Sequence, residues 1–206
     1  MEYLRSGQNC SIGDTSLTVM CSWRRSVVVD ADLSAILLDA GRRVRGDADF
    51  VFYNQPSSVD DAVQHIGKRS LGDRVEDRIG IDLTRIGRDV PMVAVVVSVD
   101  GGPAATVASL EGLEIVLSDP TDRPIVAFAM PMLTTETAVV AVEVYRRDTG
   151  WKVRAVGQGY QDGLAGLARD FGVSVDDELP EPTRPAPVGV PVIDWTNPPV
   201  PAGYEL

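Results

Sequence analysis

Short apolar runs separated by turn formers cover most of the chain, and their alternation is typical of strands. Asp148-Thr149-Gly150 joins two such runs and predicts a β-hairpin. Eight segments are predicted as strands: Ser16–Cys21, Val27–Leu38, Phe50–Tyr53, Val90–Val99, Leu113–Ser118, Ile125–Ala129, Thr137–Tyr145 and Lys152–Gly157.

The number of strands and the small number of helices indicate an all-β fold, a sandwich of two antiparallel sheets with one or two short helices. VAVVVSV, residues 93–99, has almost no polar alternation, so we expect it in a buried, central position. Apolar residues recur at helical spacing over Gln161–Phe171, and Gly172 is a natural stop. A weaker pattern predicts a second helix over Ser58–His65.

The composition changes at about residue 176. Residues 176–206 are rich in proline and lack a core-forming period, so we expect a folded domain over 1–175 followed by an extended tail. The apolar side chains of Pro191–Trp195 suggest that this segment docks, either on the domain or on a partner.

Two Asp-x-Asp pairs stand out within the strand-like segments: Asp30 with Asp32, and Asp47 with Asp49. Side chains two apart in a strand share a face, so all four carboxylates converge if the two segments pair as neighbours. Their repulsion would be relieved by a cation, and oxygen ligands, with Asn54 nearby, favour calcium or magnesium. The alternative is that these acids are solvated and protect a sheet edge.

The chain has a formal net charge of −11 and a pI near 4.5, which argues against binding of nucleic acid. It contains no apolar stretch long enough to cross a bilayer, so we expect no membrane insertion. The opening residues, MEYLRSGQNCSIGD, lack the apolar core of a signal peptide, and a cytoplasmic location is therefore expected.

Cysteine and histidine offer little chemistry. Cys10 and Cys21 lack metal-binding spacing, and we expect buried free thiols, with a disulfide as the second option. The only histidine, His65, is interpreted as structural or solvent-exposed, with a ligand role as the alternative.

Four segments together resemble one known family. DADLSAILL, DADFVFYNQ, TETAVVAVEVYRR and GWKVRAVGQGYQDGLAGLARDFG occur in an order similar to that of the TerD family of tellurium-resistance and stress proteins. The resemblance covers roughly Leu4 to Val175. It implies a calcium-binding β-sandwich, a role in bacterial resistance to tellurite and other chemical stresses, partners that are often membrane-associated, and no established catalytic activity.

The chain departs from that family in one loop. The family usually carries a calcium loop of the type GDNRTGEGDGDDE, whereas this chain has HIGKRSLGDRVEDRIGIDL, with Lys68 and Arg69 where Asp and Asn are usual. A second, weakened site is therefore expected from the remaining acids, Asp73, Glu76 and Asp77. Lys68 is also a candidate counter-ion that replaces the metal beside the Asp-x-Asp pairs.

Three functional hypotheses follow. The first is a non-enzymatic stress protein that binds other stress-resistance proteins in a calcium-dependent manner. The second is a metal-free scaffold that binds proteins through its sheet surface or its Pro-rich tail. The third is a metal-dependent hydrolase that uses the paired carboxylates, although the sequence shows no nucleophile–base set.

Overall fold

A computed structural model describes residues 1–173 of the chain. The predicted tail at 176–206 and the docking segment Pro191–Trp195 lie outside the described residues. Within residues 1–173 there are twelve strands: β1 (Glu2–Leu4), β2 (Asn9–Ile12), β3 (Ser16–Arg24), β4 (Val29–Leu38), β5 (Phe50–Val51), β6 (Val63–Leu71), β7 (Arg74–Asp82), β8 (Met92–Gly101), β9 (Glu114–Ser118), β10 (Pro124–Phe128), β11 (Ala138–Arg147) and β12 (Gly150–Tyr160). One α-helix, α1 (Gly163–Phe171), and two 3-10 turns, Asp47–Asp49 and Val107–Ser109, complete the described elements.

The strands form two six-stranded sheets. The first has the order β1-β10-β9-β3-β7-β6 and the second has the order β2-β12-β11-β8-β4-β5. Neighbouring strands run antiparallel except for β1 and β10, which run parallel. The predicted two-sheet antiparallel sandwich is confirmed.

All eight predicted strands are present, with ends that differ by a few residues. The predicted hairpin is also confirmed, because Arg147 pairs with Gly150 across the β11–β12 turn. β8 lies between β11 and β4, and its residues Val93–Val97 are fully buried, as the absence of polar alternation predicted.

The second predicted helix, over Ser58–His65, is wrong. Ser58 Oγ accepts a hydrogen bond from Val63 N at 3.0 Å, and Asp60 Oδ1 accepts one from Ala62 N at 3.0 Å. These side chains bind the backbone groups that a helix would use, so the segment turns and enters β6 at Val63 instead.

The core has two layers. The larger lies between the sheets and includes Trp23, Trp151 and the inward side chains of β4. The smaller lies on the outer face of the second sheet, where Leu167 and Phe171 of α1 cover it. Cys10 and Cys21 are free thiols, as expected. Cys21 is buried, but the prediction that Cys10 is also buried is wrong, because Cys10 is only partly buried.

The C-terminus of α1 gives a first testable prediction. Gly172 has φ 72°, a left-handed conformation that an alanine side chain disfavours. Gly172→Ala is expected to lower the free energy of unfolding by about 1 kcal/mol in urea titrations. Gly13→Ala is the matched control, because a Cβ there meets nothing within 4 Å and its φ is not positive. Equal stability of the two variants would contradict the prediction.

Candidate functional site

The site lies at one edge of the sandwich, where β4 of the second sheet faces β6 and β7 of the first. β5 pairs only with Ala35 and Ile36 of β4. Among the described residues, the outer edge of β4 from Val29 to Ser34 therefore has no strand partner. Side chains from the opposite sheet bind there instead. Five residues form what we call the seam cluster: Asp30, Asp32, His65, Lys68 and Asp77.

A β-bulge in β6 brings two of these residues to the same face. His65 pairs with Ile79 and Lys68 pairs with Asp77, with a register shift between His65 and Gly67. Residues three apart in a regular strand face opposite sides of the sheet. The bulge adds one extra residue between His65 and Lys68, so the two side chains face the same side. Gly67 has φ 123°, which favours glycine at this position. The bulge thereby directs both His65 and Lys68 towards the seam.

Lys68 joins the two sheets. Its Nζ donates to Asp30 Oδ2 at 2.9 Å and to Asp32 Oδ1 at 2.8 Å. The ammonium also lies 5.7 Å from the centre of the Trp23 ring, within the range of a cation–π contact. Burial lowers the pKa of Lys68, but the hydrogen bonds to Asp32 and Asp30 more than offset this, and the pKa is raised. Lys68 is therefore a charged staple between β6 and β4.

Asp77 makes a second connection between the sheets. Its side chain is fully buried, and Oδ2 accepts a hydrogen bond from the backbone N–H of Leu33 in β4 at 2.9 Å. Oδ1 accepts one from the N–H of Arg78 at 2.9 Å. His65 Nε2 lies 2.8 Å from Oδ1 without the alignment of a hydrogen bond. Burial raises the pKa of Asp77, and the Leu33 N–H, His65 and Lys68 oppose that rise.

The other Asp-x-Asp pair lies elsewhere. Asp47 and Asp49 belong to a 3-10 turn, in which Asp49 is buried while Asp47 is exposed. Asp49 Oδ2 accepts hydrogen bonds from Arg45 N at 2.8 Å and Arg45 Nε at 2.9 Å. Asn54 is exposed in the turn that follows β5.

The strand register separates the two acidic pairs. Ala35 pairs with Val51 and Ile36 with Phe50, so Asp49 falls beyond Ile36, at the far end of β4 from Asp32. At about 3.3 Å per residue, roughly five residues separate the two positions by on the order of 16 Å. The structure thus brings Asp30 and Asp32 together, but it does not bring Asp47, Asp49 or Asn54 to them.

The three acids of the predicted second site also separate. Asp73 is exposed at the β6–β7 turn, where its carbonyl accepts a hydrogen bond from Arg25 N at 2.8 Å. Glu76 faces outward, with Arg69 Nη2 at 2.9 Å and Arg78 Nη2 at 3.0 Å. Burial raises the pKa of Glu76, but these arginines more than offset it, and the pKa is lowered. Asp77 points inward.

These residues do not fit calcium as they stand. The Lys68 ammonium holds the position between Asp30 and Asp32 that a cation would need. Over residues 1–173, no three His, Cys, Asp or Glu side chains are arranged to hold a metal ion. Calcium also needs six to eight oxygen ligands, more than the four carboxylate oxygens that Asp30 and Asp32 carry together. Calcium binding by the chain stays a prediction.

The sequence interpretation missed how His65 and Asp77 meet. Both side chains are buried, and they face each other across β6 and β7. A signal was present, because RVEDRIGID alternates strictly: Val75, Asp77, Ile79 and Ile81 point inward. That alternation predicts a strand in which Asp77 takes an inward position between apolar neighbours.

A comparison with protein-family models matches residues 2–171 to the TerD domain. The tellurium resistance protein TerD of Alcaligenes sp. is 35% identical over 151 residues, which cover 70% of this chain and 79% of that protein. General stress protein 16U of Bacillus subtilis is 28% identical over 152 residues, which cover 71% of this chain and 79% of that protein.

A solved structure shares the fold. It is the crystal structure of a homologue of the telluride resistance protein TerD from Streptomyces coelicolor, with a TM-score of 0.61 and 16% identity. The match covers 76% of this chain and 96% of that chain. None of the helices described for residues 1–173 is long and apolar enough to cross a membrane.

Proposed function

Because this chain belongs to the TerD domain family, a family of tellurium-resistance and stress proteins, we propose that it is a non-enzymatic stress-resistance protein that acts by binding other proteins. The observation that carries the proposal is the ion pairing of the seam cluster. Lys68 holds Asp30 and Asp32, and the backbone of β4 holds Asp77. These carboxylates connect two sheets, which is a structural task.

The seam cluster supports the metal-free version of this function. The calcium-dependent version requires an ion at the acidic residues, and the ammonium of Lys68 already lies between Asp30 and Asp32, where it offsets one of their two negative charges. Arg45 neutralises Asp49 of the other pair. We therefore propose a scaffold whose partner binding is independent of calcium, with calcium-dependent binding as the alternative.

A hydrolase is not favoured by the position of the carboxylates. A cleft of about 550 Å³ lies beside the β3–β4 loop, and its lining includes Arg24, Arg25, Val27 and Glu111. None of the five seam residues lines it. A general acid or base must reach the substrate, and carboxylates committed to Lys68 and to backbone N–H groups are poorly placed for that work.

The proposed partners are other stress-resistance proteins, some of them membrane-associated, and not nucleic acid. The name of the Alcaligenes relative is the basis for proposing tellurite as one of the relevant stresses. A cytoplasmic location remains a prediction.

The proposal is tested with the full chain. Proteins captured by the tagged chain from tellurite-treated cells are identified by mass spectrometry in millimolar calcium and in EDTA. We expect the same stress-resistance proteins in both conditions, and we expect the wild-type gene to restore tellurite resistance to a deletion strain. Partners that disappear in EDTA would favour the calcium-dependent alternative. Restored resistance without any captured protein would contradict a binding function.

A further inference from the structure

We infer that Lys68 is a built-in substitute for a divalent cation, so that the seam between the two sheets is held closed permanently instead of by a reversibly bound ion. The inference rests on the proposed function and deepens it, because it gives the reason why partner binding would not respond to calcium. Its test uses metal ions alone and needs no partner protein.

The positive charge of Lys68 lies where a cation is needed. Asp30 and Asp32 are two apart on β4 and share one face, so their carboxylates repel each other unless a cation lies between them. The Lys68 ammonium meets both, at 2.9 and 2.8 Å. A calcium ion binds its oxygen ligands at about 2.3–2.6 Å and would need the same position.

The Lys68 side chain is also held in place. Its side chain is only 28% exposed, and it spans from β6 in the first sheet to β4 in the second. The Lys68 side chain passes over the fully buried Trp23 ring. The bulge at Gly67 is what directs Lys68 inward. An ordinary surface lysine has none of these constraints.

Lys68 lies at the open edge of β4. Among the described residues, no strand pairs with β4 beyond Ala35 on that side, which leaves this edge open to polar side chains of the first sheet. Lys68 and Asp77 make hydrogen bonds to β4 there, in addition to the apolar packing between the sheets. A soluble ion in this place would make the connection depend on its concentration, whereas a covalently attached ammonium does not.

The experiment removes the ammonium and supplies an ion. The wild type, Lys68→Ala and Lys68→Asp are titrated with calcium by calorimetry, and with terbium by luminescence excited through the nearby indole of Trp23. We expect no binding heat for the wild type. For Lys68→Asp, which adds a carboxylate, we expect calcium affinity at least about tenfold above that of the wild type. Lys68→Ala is expected to bind more weakly than Lys68→Asp and to show terbium luminescence that the wild type lacks.

Two results would overturn the inference. Calcium binding by the wild type as tight as that of Lys68→Asp would mean that the lysine does not occupy the cation position. No ion binding by either variant would mean that the position is not a cation site. If Lys68→Asp fails to fold, terbium luminescence of Lys68→Ala decides between the outcomes: luminescence absent from the wild type supports the inference, and its absence from both proteins contradicts it. Neither result would bear on capture of partner proteins, which tests the proposed function separately.

Discussion

Asp77→Ala is expected to lower the free energy of unfolding by about 3 kcal/mol. Asp77 is fully buried, and its loss leaves the N–H groups of Leu33 and Arg78 without their acceptor. It also removes the negative charge that faces His65 and Lys68 from inside the sandwich. Urea titration of purified variants, read by tryptophan fluorescence, measures the change.

Glu76→Ala is the matched control for this variant. Glu76 is the preceding residue, but its carboxylate faces outward and pairs with Arg69 and Arg78. Water can hydrate the two guanidinium groups when the carboxylate is removed. We expect a loss of about 1 kcal/mol or less. Similar losses for the two variants would mean that the buried link to Leu33 contributes nothing of its own, which would contradict our interpretation of the seam cluster.

Lys68→Met is expected to cost about 2 kcal/mol, because two charge-assisted hydrogen bonds and one cation–π contact disappear together. This figure is reduced for solvent screening, since the Asp30 side chain is 50% exposed. The loss is expected to shrink in high salt, where the repulsion between Asp30 and Asp32 is screened.

The only other lysine of the sequence provides the control. Lys152 donates one long hydrogen bond, 3.4 Å to Asn9 Oδ1, so Lys152→Met is expected to change stability by less than about 0.5 kcal/mol. Lys68→Arg keeps the positive charge and is expected to retain part of the stability. A double-mutant cycle that combines Lys68→Met with Asp32→Asn measures the coupling energy between Lys68 and Asp32. A coupling energy near zero would show that this ion pair does not stabilise the fold.

Much of the fold was predictable because its strands carry strong local signals. The valine-rich run of β8 predicts a buried strand, and the turn at Asp148 predicts a hairpin. Both predictions were confirmed. The β6–β7 hairpin was missed because its charged residues were interpreted as a loop. In the structure those charges alternate with apolar residues in β7, and the pairing with β3 decides the conformation.

The candidate site was predictable only in part. The Asp-x-Asp pattern correctly placed Asp30 and Asp32 on one face, and Lys68 was identified as a counter-ion candidate. Which of the acidic pairs it would meet depends on the strand register and on the bulge at Gly67, and neither follows from local sequence. The register of β5 carried Asp47 and Asp49 away from the seam cluster, where Arg45 neutralises Asp49.

The central claim is that an internal ammonium, and not a bound ion, closes the seam. It is tested most directly by unfolding the chelator-stripped wild-type chain in EDTA and in millimolar calcium. The two unfolding curves are predicted to superimpose. Calcium at a hundredfold excess over a dissociation constant would stabilise the fold by about 2.7 kcal/mol, and a gain of that size would contradict the account.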